Sequence, residues 1–195
     1  SLAGVAALYL VSIFMNRLIL FQFDIEKEVV EGQNVGSGAA EFGMYIATGL
    51  LVAGSVAGEG GGPDTAAAFF GMGLVLLVVF ALFYQLTTSF DVHSEIEGKN
   101  MAVGIALGGN LIAIGLVTFK AVFGNFDGWN EGVAAFITFG VIGFALLYVM
   151  RLLLDKLLLP TVSASKAIAI DRNLGVAFIE SAVVISSALI LFIAI

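Results

Sequence analysis

Asn34, Glu41 and Thr48 recur at seven-residue spacing, and Asn173, Glu180 and Ser187 repeat the pattern near the other end of the chain. Seven residues is nearly two helical turns, so each trio forms a stripe on one helix face. Both glutamates fall inside apolar runs, ~10 Å in from the asparagine that opens each run. A carboxylate at that depth in a bilayer is costly and calls for a partner or a path. Arg17, near the end of the first apolar run, comes to the depth of Glu41 in an antiparallel hairpin, and Arg151 does the same for Glu180. In the middle of the chain, Leu107 matches Glu41 and Tyr84 matches Arg17, so acid and base disappear together. That favours two structural ion pairs, Arg17–Glu41 and Arg151–Glu180, because either charge alone would be expensive. The competing reading has Glu41 and Glu180 lining a polar path that exchanges protons or binds a cation. Asn110 stands where the middle segment lacks its glutamate. It either hydrogen-bonds across helices or adds a polar rung to such a path. Asn34, Asn100 and Asn173 each precede an apolar run and read as helix N-caps.

Other chemistry is excluded by inventory. There is no cysteine, so no disulfide or thiolate site forms. The one histidine, His93, lies in a connecting segment, which rules out bis-histidine haem ligation, an H-E-x-x-H zinc site and a Ser–His protease within a span. Gly36-Ser37-Gly38 is therefore a packing motif and not a nucleophile elbow. No phosphate-binding glycine loop is present, and neither a metal nor a cofactor is expected. A net charge of −7 without clustered Lys and Arg argues against nucleic acid as a partner.

The elements that must position these residues are membrane helices. The chain has 195 residues, 60% of them hydrophobic and 12% charged, with mean hydropathy +1.08. A soluble domain is about a quarter charged, so lipid is the natural solvent here. Six apolar runs cover roughly Ala3–Phe21, Val35–Gly58, Ala66–Leu86, Met101–Phe123, Val133–Leu158 and Leu174–Ile195. Each has about the length that spanning requires and none shows the period-2 alternation of a barrel strand. The first run lacks a signal-peptide pattern and reads as a mature span. Seven of the eight Lys and Arg lie in or beside the first, third and fifth connections. Those connections are expected in the cytoplasm, with both termini outside. Lys120 is the exception, near the outer interface, where its ammonium can snorkel. Trp129 and Phe126 read as outer aromatic anchors.

A repeat underlies the pattern. Phe23–Asn34 aligns with Phe90–Asn100 with one residue deleted, and Ile170–Asn173 is a weaker third copy. A small-residue run follows each asparagine, including Gly104-x-x-x-Gly108, which lets helix backbones approach closely. The expected fold is an all-α integral membrane protein forming a single domain over residues 1–195. Six transmembrane helices form three tandem hairpins, approximately 3–58, 66–123 and 133–195, in pseudo-threefold packing with N and C termini outside. The second helix of each hairpin is expected toward the interior. The connectors 23–31 and 90–97 alternate acidic and apolar residues. They read as solvated faces, or as docking sites for a basic cytoplasmic partner.

The segment Glu95–Leu111, EIEGKNMAVGIALGGNL, resembles the bacterial inner-membrane family known as domain of unknown function 350, the YjfL-type proteins. The resemblance covers essentially the whole chain as three two-helix units, best in the middle and poorest in the third, where Thr161–Ile170 has lost its acids. It implies a multi-pass protein of the bacterial inner membrane without an agreed activity. It also implies a genomic neighbourhood of membrane-stress or polyamine-related genes. Three functions are then weighed. One is a scaffold or partner subunit of a membrane complex, touching lipid and either copies of itself or other membrane subunits. Another is a small proton or cation channel or transporter using Glu41 and Glu180. The third, an enzyme, has almost no catalytic inventory to support it.

Overall fold

The computed structural model describes Ile13 and residues 26–57, 61–153 and 163–194. Helices begin where the sequence supplies a cap. Pro63 opens a helix with Asp64 in its first turn, and Asn100 caps another by accepting from Val103 N–H at 3.4 Å. In order, a π-helical turn Glu26–Glu31 leads to α1 (Val35–Ala57). Then come α2 (Pro63–Thr87), the short α3 (Val92–Glu97), α4 (Met101–Val122), α5 (Trp129–Leu153), the short α6 (Ala164–Ala169) and α7 (Leu174–Ala194). Among the described residues, α1, α2, α4, α5 and α7 are long and apolar enough to cross a membrane. The apolar run Ala3–Phe21, with Arg17, lies outside the described residues.

Helix α4 is the centre of the bundle. Of its most apolar window 83% is buried, against 17% for α2 and 22% for α5. Its four neighbours occupy different faces. Gly104, Gly108 and Gly115 meet α1, whereas Ile105 and Gly109, about 100° further round, meet α7. Val117 packs on Gly143 of α5, and Thr118 approaches Gly73 of α2. Thus α1, α4 and α7 form an inner, mutually parallel row. Helices α2 and α5 cover its seams from one side and meet through Phe80–Phe144 and Phe83–Tyr148.

The pseudo-threefold packing expected from the sequence is not what forms. α1 and α7 scarcely touch, because α4 presents small residues on two faces and its own width separates the helices packed there. The arrangement is a bent row with α4 at the vertex.

Before each inner helix the backbone repeats one event. Gln33 (φ 51°), Lys99 (φ 58°) and Arg172 (φ 51°) all adopt left-handed geometry, each immediately before Asn34, Asn100 or Asn173. Non-glycine residues adopt this geometry uncommonly, so its recurrence at one register marks a shared local design. The loop ahead of it closes through Asn34 N–H to Glu28 O (2.9 Å), Asn100 N–H to Glu95 O (2.9 Å) and Asn173 N–H to Ala167 O (2.9 Å). The middle loop is one residue tighter, as the single deletion in the sequence alignment requires.

Candidate functional site

One group of buried polar residues gathers where the middle and last thirds of the chain meet. Glu180 on α7 is 1% exposed and Asn110 on α4 is 3% exposed. Asn110 Nδ2 donates to Glu180 Oε1 at 3.2 Å and to its own helix at Ala106 O, 2.9 Å. Tyr84, from α2, is buried within electrostatic reach of both Glu180 and Arg151. The Arg151 guanidinium, from the last turn of α5, lies over the Tyr84 ring with its carbon 4.9 Å from the centroid. Such a stack is worth about 0.5–2 kcal/mol depending on desolvation. At the next residue of α7, Ser181 Oγ donates to Ile105 O across the helix seam at 3.0 Å. Four helices thus converge on one polar cluster.

The sequence reading placed Arg151 opposite Glu180 as an ion pair. Between described residues the one ion pair is His93–Glu97, at 3.8 Å on α3. Arg151 instead stacks on Tyr84, and Asn110 supplies a hydrogen bond to the carboxylate. Tyr84, read from the sequence as the counterpart of Arg17, is what receives Arg151. Asn110 makes the interhelical bond expected of it. Glu41 is buried on α1, about 140° round that helix from the Gly43–Ala47 face packed on α4. The two glutamates therefore face different surroundings with α4 between their helices. The pairing Arg17–Glu41 lies outside the described residues. Thr48 and Ser187 each turn inward and bond their own helix, at Met44 O (2.8 Å) and Val183 O (2.7 Å).

The three asparagines do cap their helices through Oδ1, to Ser37, Val103 and Val176. Two of them do more. Asn34 Nδ2 donates to Glu28 Oε2 (3.0 Å) and to Ile96 O (2.8 Å), 62 residues away. Asn100 Nδ2 donates to Glu95 Oε2 (2.8 Å) and to Ala169 O (2.9 Å), 69 residues away. Each asparagine clasps the connector of the following hairpin, and Lys99 Nζ reaches back to Gly32 O at 2.7 Å. The acids Glu28 and Glu95 thus serve the clasp, a role that sequence reasoning missed. The signal was their fixed position five or six residues before the asparagine. Glu31, Asp91 and Glu97 are exposed acids of these connectors.

A cavity of about 480 Å³ opens at the far end of the bundle, lined by Thr65, Phe69, Lys120, Asn125 and Phe126. It contains neither glutamate. Phe69 stacks on Trp129 with the rings 5° from parallel.

A bundle of long apolar helices around a glycine-packed central helix, with its polar groups gathered inside, defines a multi-pass integral membrane protein. The sequence signature of the Domain of Unknown Function (DUF350) family matches residues 1–56 and 61–195, and the chain belongs to that family. It is similar to the UPF0719 transmembrane protein YshE of Bacillus subtilis (strain 168), at 28% identity over 114 residues. That match spans 58% of this chain and 80% of the relative. No solved structure matches the chain.

Proposed function

We propose that the protein is a non-catalytic scaffold subunit of the bacterial inner membrane. In this reading it has six spans in three copies of one hairpin, its basic connections in the cytoplasm and both termini outside. It holds other membrane subunits, or copies of itself, by helix association. The observation that carries this reading is the seam between α1 and α4. A Cβ added at Gly43 would fall on the Gly108 backbone, and one at Gly104 on the Gly36 backbone. Helices in such contact leave no passage between them, and Glu41 and Glu180 do not share a lumen. In lipid, close backbone packing and buried polar bonds are what hold helices together. The recurrence of the left-handed residue and its asparagine supports the three-copy arrangement.

A proton- or cation-conducting role through Glu180 is the second reading. It is favoured by the buried carboxylate among Asn110, Tyr84 and Arg151. Purified protein in liposomes separates the two. The scaffold reading expects proton and potassium flux equal to empty vesicles, and unchanged in Glu41→Gln and Glu180→Gln. Flux that the wild type supports and Glu180→Gln abolishes would replace it with conduction.

A further inference from the structure

The bent row of inner helices has two ends, and each end carries an unmatched half of a contact that the molecule makes twice inside itself. The two internal seams share one register. Counting from the capping asparagine, the fifth and ninth residues of one helix meet the eighth of the next. Ala39 and Gly43 meet Gly108, and Ile105 and Gly109 meet Ser181. Continuing the count past α7 gives Phe178 and Ala182 as the donor face. On α1 the receiving position is Phe42. Phe178 is 57% exposed, Phe42 is 64% exposed and Ala182 is exposed too. Gly38, which corresponds to Gly104, has open space where its Cβ would go, whereas Gly104 is pressed on Gly36.

The polar clasp shows the same asymmetry. Asn34 and Asn100 are 1% and 0% exposed and reach the next connector. Asn173 is exposed, and among the described residues no connector lies against it. The residues that present the accepting carbonyls, Ile96 and Ala169, are 0% and 7% exposed. Val30, at their register in the first connector, is 69% exposed. Among the described residues, α7 has the donor without an acceptor, and the first connector has the turn without a donor.

We propose that these two ends dock on each other between copies of the chain, head to tail. The α7 face of one copy, Phe178 and Ala182, seats Phe42 on α1 of a second copy, and Asn173 clasps the second copy's Val29–Val30 turn. The contact is heterologous, so it closes into a ring or extends as an array. The proposal rests on the scaffold reading and names the partner as a second copy. Its support is continuity with the internal seams, which reproduce the same register and the same clasp.

The absence of cysteine makes the test direct. Copies carrying Phe42→Cys and copies carrying Ala182→Cys are co-expressed, kept dilute in lipid vesicles and oxidised. The expected result is disulfide dimers only between unlike copies, with neither variant cross-linking to itself. One chain carrying both substitutions should link into a closed dimer or a ladder, since α4 keeps its own two cysteines apart. Gly38→Cys with Gly175→Cys is a second pair on the same register, in case Phe42→Cys fails to fold. Val75→Cys, exposed on α2, is the control for random collision. Asn173→Asp keeps the capping oxygen and removes the donor, and should lower the cross-link yield about threefold, the scale of one interhelical hydrogen bond in lipid. Cross-linking of like with like would overturn the proposal in favour of a symmetric contact. Yields no higher than the Val75→Cys control in both pairs would overturn it in favour of faces covered by lipid. A chain that cross-links and also conducts would sink the scaffold reading alone. One that does neither would sink this proposal alone.

Discussion

The two seams of the central helix are built differently. Against α1, α4 offers Gly104, Gly108 and Gly115 to Gly36, Ala39, Gly43 and Ala47, so backbone touches backbone and no side-chain hydrogen bond crosses the contact between the described helices. Against α7, the contact is made by side chains, with Ser181 bonding Ile105 O and Asn110 bonding Glu180. The first seam is held by shape and the second by polar bonds. A seam of shape fails when volume is added and cannot be repaired from the other side. A polar seam can be altered and compensated.

The largest effect is expected from Gly43→Ala. Its Cβ meets the O, Cα and C of Gly108, and backbone cannot move aside cheaply. A loss of about 3 kcal/mol or more is expected, up to failure to accumulate folded protein. Thermal unfolding in detergent, followed by helicity, measures it. No single substitution in α4 should rescue it. Gly109→Ala should cost about 1–3 kcal/mol, but its Cβ meets chiefly the Ser181 side chain. Adding Ser181→Gly should recover most of that loss, and a failure to recover would erase the contrast between the seams. Next comes Glu180→Leu, expected to cost about 1–2 kcal/mol by leaving the Asn110 amide short of an acceptor in the core. Glu180→Gln keeps an acceptor and should lie within about 0.5 kcal/mol of wild type. If both changes are equally damaging, the negative charge matters more than the hydrogen bond.

The smallest effect lies outside the membrane. Asp91 caps α3, accepting from His93 N–H at 2.9 Å and Ser94 N–H at 3.2 Å. The Ser94 amide chiefly holds its carboxyl below the ordinary value of 3.8. A lowered folded-state value means that the contribution to stability is present above pH ~4. It is lost as pH falls further, through the folded-state value. The melting temperature should show a small acid-side decline that Asp91→Asn flattens, and an unchanged decline would remove the cap as its source.

Much of the fold was legible because lipid simplifies the rules. The expected run Met101–Phe123 became α4, Met101–Val122, since Asn100 caps its start and Gly124-Asn125 follows its end. The starts of α2 and α5 were placed about one turn late, at Ala66 and Val133. Their first turns carry Asp64, Thr65, Asn130 and Glu131, which apolarity cannot detect. The spacing of the capping asparagines was readable. The arrangement of the helices they open was not, because that depends on the angle between two faces of α4. The clasp by Asn34 and Asn100 was hidden because its acceptors are backbone carbonyls, which every residue has. Glu180 and Asn110 were named from polarity in an apolar run, whereas the place of Arg151 over Tyr84 depends on how α2 and α5 cross.

Because α4 is walled by helices that both precede and follow it in the chain, its final surroundings cannot exist until α7 has entered the bilayer. Synthesis completes α4 before α7 exists. The Ile105–Gly109 face of α4 must therefore wait in lipid or against temporary neighbours during biogenesis, until a helix made later closes it.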